Sequence, residues 1–169
     1  MIPSNLETYI VELESMVVWK PCNEGEIPKP QPGLDESFDK ANNLVTKIKA
    51  KLDCYLGEVR ASFNDERINW SHAKYRYELE IPIEIVEGDK KPEHFEFTSA
   101  KKDFQRFHTK EIKKIVEELE NAEEKLREAF TPFLKTLFTK FHEKKFVWDS
   151  LVNIIAELDC LVSLSILSG

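Results

Sequence analysis

Glycine and cysteine are scarce in this sequence, with five glycines and three cysteines among 169 residues. No glycine is followed by Lys and then Ser or Thr, which excludes the phosphate-binding loop of a nucleotide hydrolase. The cysteines are odd in number, far apart and form no CxxC pair; they are Cys22, Cys54 and Cys160. This usage indicates reduced thiols in an intracellular protein, and no disulfide framework.

Long apolar runs and metal-binding patterns are absent as well. No stretch approaches about 18 uninterrupted apolar residues, so the sequence predicts no membrane span. The first residues lack the basic and apolar regions of a secretory signal. The histidines have no ligand-like spacing; they are His72, His94, His108 and His142. We therefore expect no metal site, no catalytic residue and no cofactor in this chain, which is not itself an enzyme.

Charge is plentiful but unevenly distributed. Charged residues make up 33% of the chain, hydrophobic residues 41%, and the net charge is −7. An acidic balance argues against a generic nucleic-acid binder, which is usually basic. Residues 65–114, however, contain eleven Lys or Arg and eleven Asp or Glu, so this segment is neutral and the rest carries the whole −7. The middle of the chain is therefore electrostatically distinct from the arms around it.

The N-terminal part of the chain predicts a short helix followed by a connector. Acidic and apolar residues alternate with helical spacing over residues 6–19, and Pro21 ends this helix. Three further prolines, Pro28, Pro30 and Pro32, predict an extended connector up to residue 33 with neither helix nor sheet.

Two long stretches have apolar residues at steps of three and four, which predicts long helices packing along partners. The first follows Asp35 and the second follows Thr109, and both residues are favourable N-caps. Pro132 is expected to kink the second helix or start a new segment. A third helix closes the chain. The apolar seams are Phe38, Ala41, Val45, Ile48, Leu52, Tyr55 and Val59; Ile112, Val116, Leu119, Leu126, Phe130, Phe133, Leu137 and Phe141; and Val147, Leu151, Ile154, Leu158 and Leu161.

Between the long helices the period changes to two. From Tyr75 to Ile85 the odd positions are apolar or aromatic and most even positions are charged, which predicts a strand with one buried and one charged face. Pro82 lacks a ladder donor and is expected at an edge or near the strand's end. A polar turn follows at 87–92, and a return strand resumes the alternation at 95–97.

The pattern predicts an α+β fold in which long antiparallel helices carry a small antiparallel β unit at their tip. The β unit has at least two strands, with residues 68–70 as a possible third. We divide the chain into a first helical part with the Pro-rich connector (1–64), a β-rich unit (65–108) and a returning helical part (109–169). A lever with a gripping tip is the mechanical interpretation.

The strongest chemical signal lies in residues 98–107, which hold three positive charges against one acid. Lys and Arg bind phosphate oxygens, and hydroxyl groups add hydrogen bonds without reading sequence. Two basic residues on the charged face of the long strand could join them. The candidate phosphate-binding residues are Lys101, Lys102, Arg106, Lys74, Arg76 and Ser99. The alternatives are that the Lys-Lys pair is a solvated surface, and that the strand's basic residues pair with acids across the sheet.

Several motifs, in the same order along the chain, resemble the lever and clamp of MutS-family mismatch-repair proteins. The resemblance runs from Pro30 to Leu164. Its details are most similar to the sixth eukaryotic MutS homologue, through Arg76 and the lysine pair after a serine. The motifs are PGLD at 32–35, YRYELEIP at 75–82, PEHFEF at 92–97, SAKK at 99–102, NAEE at 121–124 and AELDCL at 156–161.

The resemblance implies a function that composition alone does not. MutS proteins work as dimers that encircle DNA, their clamps contact the backbone, and their levers connect the clamp to an ATPase domain. It therefore implies double-stranded DNA and a second MutS homologue as partners, and a location in the nucleus. ATP and Mg would belong to the parent protein's ATPase domain, which this chain lacks. The alternative is a helical-arm protein–protein interaction module whose β tip binds another protein.

Overall fold

The structure is a computed structural model that describes residues 5–18, 29–86 and 92–167. It combines long helices with two small antiparallel sheets, which confirms the α+β class. The elements are α1 Leu6–Met16, β1 Val17–Val18, β2 Lys29–Pro30, α2 Glu36–Phe63, β3 Asn69–Ser71, β4 Glu78–Pro82, α3 Ile83–Val86, β5 Glu96–Lys101, β6 Phe104–His108, α4 Lys110–Glu143 and α5 Lys145–Leu167.

The chain forms two compact units. One comprises residues 1–39 and 128–169, and the other comprises residues 40–127. The second unit contains the four-stranded sheet. The three-part division at 64/65 and 108/109 stays a prediction.

Both predicted N-caps are confirmed. The Asp35 carboxylate accepts a hydrogen bond from the Phe38 N–H at 3.0 Å, and the Thr109 hydroxyl accepts one from the Ile112 N–H at 3.1 Å. Each cap satisfies a backbone donor that the first turn of a helix leaves free. The two long helices α2 and α4 therefore begin directly after their capping residues.

In the second unit, α2 and α4 pack antiparallel along their predicted seams. The Lys49 ammonium lies 4.0 Å from the Glu123 carboxylate, and the Tyr55 hydroxyl lies 3.1 Å from that of Thr109. Later residues of α2 thus contact earlier residues of the returning chain. The apolar cluster between the helices is buried and consists of Val45, Ile48, Leu52, Leu119 and Ala122.

The same two helices cover one face of the sheet, whose strand order is β3-β4-β6-β5. Side chains from α2, α4 and the strands share one buried cluster. Its members are Leu56, Val59, Ile68, Leu79, Ile81, Val86, Phe95, Phe107, Ile112 and Val116. Helices and sheet therefore close a common core in residues 40–127.

The strand predicted over 75–85 is shorter than the alternation indicated. Only Glu78–Pro82 is a strand, and Ile83–Val86 forms a helical turn instead. Pro82 ends the strand, as expected. Glu78, on the face predicted to be charged and exposed, is fully buried, because backbone and hydroxyl donors surround its carboxylate. The predicted strand is therefore too long at both ends, and its supposedly exposed face is buried at Glu78.

A fourth strand was not predicted. Residues 104–108 pair with β4 on one side and β5 on the other, so the basic segment 98–107 forms a hairpin. The possible third strand at 68–70 is confirmed as β3, shifted by one residue. The predicted turn at 87–92 lies outside the described residues except for its last position.

The first unit contains α1, a two-stranded ribbon, the start of α2, the end of α4, and α5. The predicted first helix is confirmed over Leu6–Met16, but it ends earlier than predicted, because Val17–Val18 form a strand. The connector was predicted to lack sheet structure, but its Lys29–Pro30 segment pairs with Val17–Val18. A proline is compatible with such a ribbon, because each strand keeps one side free of ladder bonds. Residues 19–28, which include Cys22, lie outside the described residues.

Pro132 does not interrupt α4, which runs unbroken from Lys110 to Glu143. A proline inside a helix removes one hydrogen bond, and the packing of Phe130 and Phe133 on either side of it offsets that loss. The alternative of a new segment at Pro132 is therefore wrong.

The predicted last helix is confirmed as α5, but its apolar seam is not covered throughout. Leu151 and Ile154 are partly buried, whereas Leu158 is 60% exposed. Among the described residues, no helix is both long and apolar enough to cross a membrane.

Leu52 tests how much the helix pair contributes to stability. It is fully buried, whereas Leu44 on the same helix is exposed. We expect Leu52→Ala to lower the free energy of unfolding by about 2–5 kcal/mol, because it removes buried methyl groups and leaves a cavity. Urea unfolding followed by circular dichroism measures this. Leu44→Ala is the control, with a change within about 0.5 kcal/mol; equal losses would contradict the packing described.

Candidate functional site

The β5–β6 hairpin brings four of the six candidate residues together. Lys101 ends β5, Lys102 follows it in the turn, and both are exposed. Ser99 on β5 is the register partner of Arg106 on β6. Neither lysine has an ion-pair partner within the described part of the chain. The hairpin end therefore presents two exposed ammonium groups without an ion-pair partner among the described residues, beside one carboxylate, that of Asp103.

Arg106 differs from the two lysines because an acid already engages it. Its Nε donates to Glu80 Oε2 at 2.9 Å, and both side chains are mostly buried. The two residues are register partners on neighbouring strands. Opposite charges directly across two strands stabilise their pairing. Any contact of Arg106 with a ligand has to share this guanidinium with Glu80.

Ser99 is only partly exposed, and its hydroxyl is buried. Its Oγ has no hydrogen-bond partner within the described residues. A buried polar atom without a partner is uncommon, and an ordered water or a ligand atom is the usual reason for one. Ser99 therefore belongs to the hairpin, but its hydroxyl is not presented on the surface.

Lys74 and Arg76 lie at the other end of the sheet. They belong to the loop 72–77, which joins β3 to β4, and not to the charged face of a strand as predicted. Lys74 lines a cavity together with Glu96, which is the first residue of β5. Lys101 is the last residue of the same strand. Six strand residues span roughly 17–20 Å. The structure therefore separates the candidate residues into two groups.

Arg76 is held against α4. Its guanidinium donates to both carboxylate oxygens of Glu123, at 2.8 and 3.1 Å, and lies 3.9 Å from Glu120. The hydrogen bonds to Glu123 raise the pKa of Arg76, and those from Arg76 lower the pKa of Glu123. One alternative was that the basic residues of the strand pair with acids across the sheet. Arg76 does pair with acids, but they lie on the returning helix α4.

Two histidines fasten the loop 72–77. His72 Nδ1 accepts a hydrogen bond from the Tyr77 N–H at 3.2 Å, and His108 Nε2 donates to the Arg76 carbonyl at 3.0 Å. Tyr77 has a φ of 56°, in the left-handed region that bulky residues rarely adopt. These bonds therefore hold the loop in a backbone conformation that Tyr77 does not favour by itself.

Glu78 organises the same loop from beneath. Its Oε2 accepts a hydrogen bond from the Lys74 N–H at 3.0 Å. Burial raises the pKa of Glu78, but the Thr98 hydroxyl and the N–H groups of residues 73–75 outweigh burial and lower it overall. The other oxygen, Oε1, has no partner within the described residues. An ionised carboxylate therefore lies under the loop as its shared acceptor.

The sequence interpretation missed the three acids that position these basic residues. Strand alternation placed Glu78 and Glu80 on an exposed charged face, and nothing in the pattern marks either one as buried. The alternation of basic and acidic residues was a weak signal for pairing. Glu123 lies 47 residues from Arg76, so that only the folded helix pair reveals their contact.

Groups of three or more His, Cys, Asp or Glu side chains placed to hold a metal ion do not occur among residues 5–18, 29–86 and 92–167. The geometry that does occur in the second unit is a pair of antiparallel helices carrying a small sheet. A basic hairpin lies at one end of that sheet and an acid-bound loop at the other. This arrangement offers surfaces for a binding partner.

Comparisons with known proteins identify the family. The family model described as MutS family domain IV matches residues 33–125, more than half of the chain. The chain therefore belongs to the MutS family.

Named relatives agree with this assignment. The chain is 34% identical to DNA mismatch repair protein Msh6 of Gallus gallus over 137 residues, which is 80% of this chain and 10% of that protein. It is 32% identical to MSH6 of Arabidopsis thaliana over 165 residues, 97% of this chain and 12% of that protein. Msh6 of Homo sapiens is 34% identical over 137 residues, 80% of this chain and 10% of that protein.

The chain thus spans about a tenth of the length of the curated relatives it matches. The resemblance to MutS proteins, and within them to the sixth eukaryotic homologue, is confirmed.

Glu78 yields a prediction with a defined pH dependence. Because its pKa in the folded chain lies below the ordinary value of 4.5, its ionised form stabilises the fold fully above that value. This contribution disappears as the pH falls through the lowered pKa. We expect Glu78→Gln to lower the free energy of unfolding by about 1–3 kcal/mol at neutral pH, since it replaces a charged acceptor of buried N–H groups.

Urea unfolding of wild type and variant between about pH 3 and pH 7 measures the effect. The difference in free energy of unfolding between wild type and variant should narrow once the pH falls below the ordinary pKa of a glutamate. Glu124→Gln, at an exposed position of α4, is the matched control and should show little gap at any pH. A gap for Glu78→Gln that stays constant across this range would exclude the ionised carboxylate as its cause.

Proposed function

We propose that this chain is the lever-and-clamp portion of a mismatch-repair protein, and that it holds double-stranded DNA by its phosphate backbone without reading sequence. The observation that carries this proposal is the hairpin end, where Lys101 and Lys102 are exposed and form no ion pair within the described residues. Ammonium groups on flexible stems bind phosphate oxygens and release counterions. The mismatch-repair names of the relatives support the same conclusion.

Within this proposal the hairpin residues differ in how available they are for phosphate contact. Lys101 and Lys102 come first because neither forms an ion pair in the part of the chain that the structure describes. Arg106 follows, since it is shared with Glu80. Ser99 supports the hairpin but keeps its hydroxyl inside.

The basic residues of the loop 72–77 rank last for phosphate contact. Lys74 shares its cavity with three carboxylates of β5 and α4, and Arg76 is bound to Glu123. Acids this close oppose the approach of a phosphate. We therefore assign these two residues a positioning role for the loop.

The long helices suit the role of a lever. α2 has 28 residues and α4 has 34, so they extend over about 40 and 50 Å. In the parent protein, they would couple the grip on DNA to an ATPase domain that uses ATP and Mg. This chain itself would not be an enzyme. The parent would work in the nucleus, paired with a second MutS homologue.

Removing the charges of the two hairpin lysines tests whether they bind the DNA backbone. In the full-length protein with its partner subunit, we expect Lys101→Ala with Lys102→Ala to weaken binding to a short duplex. Each lost phosphate contact removes about 0.9 from the slope of log K against log salt, so the slope should become shallower by about two. Fluorescence anisotropy at several salt concentrations measures both quantities.

The matched control removes the same charge elsewhere. Lys114 and Lys125 are exposed on α4, and changing both to Ala should leave the salt slope nearly unchanged. If both double variants weaken binding equally, net charge and not the hairpin determines affinity, and the assignment of the grip fails.

Sequence-blind binding gives a second expectation, measured by NMR. A short duplex titrated into the chain should shift the amide signals of residues 99–106 equally whether it is matched or mismatched. The shifts should decrease between low and moderate salt, because phosphate contacts are screened by ions. Shifts that differ between the duplexes would contradict backbone-only contact.

A second candidate function is a protein–protein interaction module. The exposed apolar side chains of α5 favour it, including Phe146, Ile155 and Leu158, because large exposed apolar patches mark interaction sites. In that case the NMR titration would show no shifts with DNA even at low salt.

A further inference from the structure

A cavity of about 420 Å³ opens beside the loop 72–77, at the end of the sheet remote from the basic hairpin. Its volume lies in the range of pockets that take a ligand or a large side chain. Strand β5, the loop and the first turns of α4 form its walls. The lining residues that define its chemistry are Tyr75, Glu96, Phe97, His108, Glu117 and Glu120.

The charge of the cavity is negative. Its lining holds three carboxylates against two ammonium groups. Glu96 is paired with Lys113, and Glu120 lies 3.9 Å from the Arg76 guanidinium. Glu117 has no ion-pair partner within the described residues. A phosphate would be repelled here, whereas a cation with several donors would be attracted.

A further carboxylate lies close to this lining. Glu78 is buried beneath the loop 72–77, and its Oε1 has no hydrogen-bond partner in the described part of the chain. Lys74, which lines the cavity, is bonded to the other oxygen of Glu78 through its backbone N–H. The buried charge therefore adds to the negative potential at the cavity.

The aromatic side chains of the cavity suit a planar cation. Tyr75 stacks on His108 with ring centroids 5.6 Å apart, and Phe97 is 57% exposed. The ammonium of Lys74 lies 5.1 Å from the Tyr75 ring centroid, so Tyr75 is engaged within the chain and the exposed ring of Phe97 is the one available to a further cation. An arginine guanidinium combines charge, a flat face for stacking and donors for two carboxylates.

The strand that lines the cavity can also receive a peptide backbone. β5 is at the end of the strand order, and within the described residues no strand pairs with its outer side. An edge strand offers free N–H and C=O groups to an extended segment of another protein. Backbone pairing would then deliver a side chain to the cavity beside Glu96 and Phe97.

We propose that this cavity binds an arginine side chain of an extended segment of a partner protein, docked along the β5 edge. The site is separate from the hairpin end and does not contact DNA. The two surfaces let one sheet hold DNA at one end and a protein at the other.

A capped tripeptide, Ala-Arg-Ala, is the probe, and its matched control is the same peptide with citrulline, which has the arginine shape without its charge. In an NMR titration of the 169-residue chain, the arginine peptide should shift the amide signals of residues 75, 97, 98 and 117. The citrulline peptide should bind at least about fivefold more weakly, as expected for the loss of one charge–aromatic contact.

Three variants assign the effect to the cavity. Glu117→Gln with Glu120→Gln should weaken arginine-peptide binding about fivefold, whereas Glu124→Gln on the same helix should not. The Lys101→Ala and Lys102→Ala pair should bind the peptide as the wild type does, which separates this site from the DNA grip. Equal binding of the two peptides, no shifts with either, or shifts of these residues by a DNA duplex would overturn the proposal.

Discussion

The antiparallel contact of α2 with α4 is the constraint on which the second unit depends. The apolar seams of the two helices meet at residues such as Leu52 and Leu119, and further along the same seams cover the sheet through Val59 and Ile112. The apolar face of a sheet has to be buried against another element. The helix pair therefore supplies the missing half of its core, and the position of every surface residue on the sheet follows from that contact.

Polar contacts then determine which basic residues remain available. Arg106 is paired with Glu80, and Arg76 with Glu123. Both guanidinium groups therefore stabilise the fold, and a ligand would have to share them with these acids. The hairpin lysines differ because the turn carries them beyond the sheet's own acids. A neutral net charge over residues 65–114 thus conceals an uneven surface. Pairing inside the fold engages many of these charges, and the hairpin end keeps two lysines that form no ion pair among the described residues.

Much of this fold could be predicted from the sequence, but not the parts that depend on contacts between distant residues. Seams at steps of three and four, with the caps Asp35 and Thr109, located the helices because burial and capping act locally. Alternation overestimated the strand at 75–85, since the left-handed Tyr77 and the buried Glu78 are set by tertiary contacts. Four of the six candidate residues do share the hairpin, but their acidic partners lie too far along the chain for spacing to reveal them.

The separation of the two groups of basic residues bears on how the sheet is joined to α4. Arg76 joins the loop 72–77 to α4 through two hydrogen bonds, and Glu78 joins the same loop to the sheet from beneath. A shift of α4 would therefore pull on this loop before it reached the hairpin, because the loop is bonded to the helix directly. The hairpin is connected to α4 through the strand β6, which leads straight into the cap Thr109. Both of these links to α4 therefore lie at the loop end of the sheet, because β6 reaches the helix at His108, opposite Glu96. The hairpin end is joined to α4 through the length of β6.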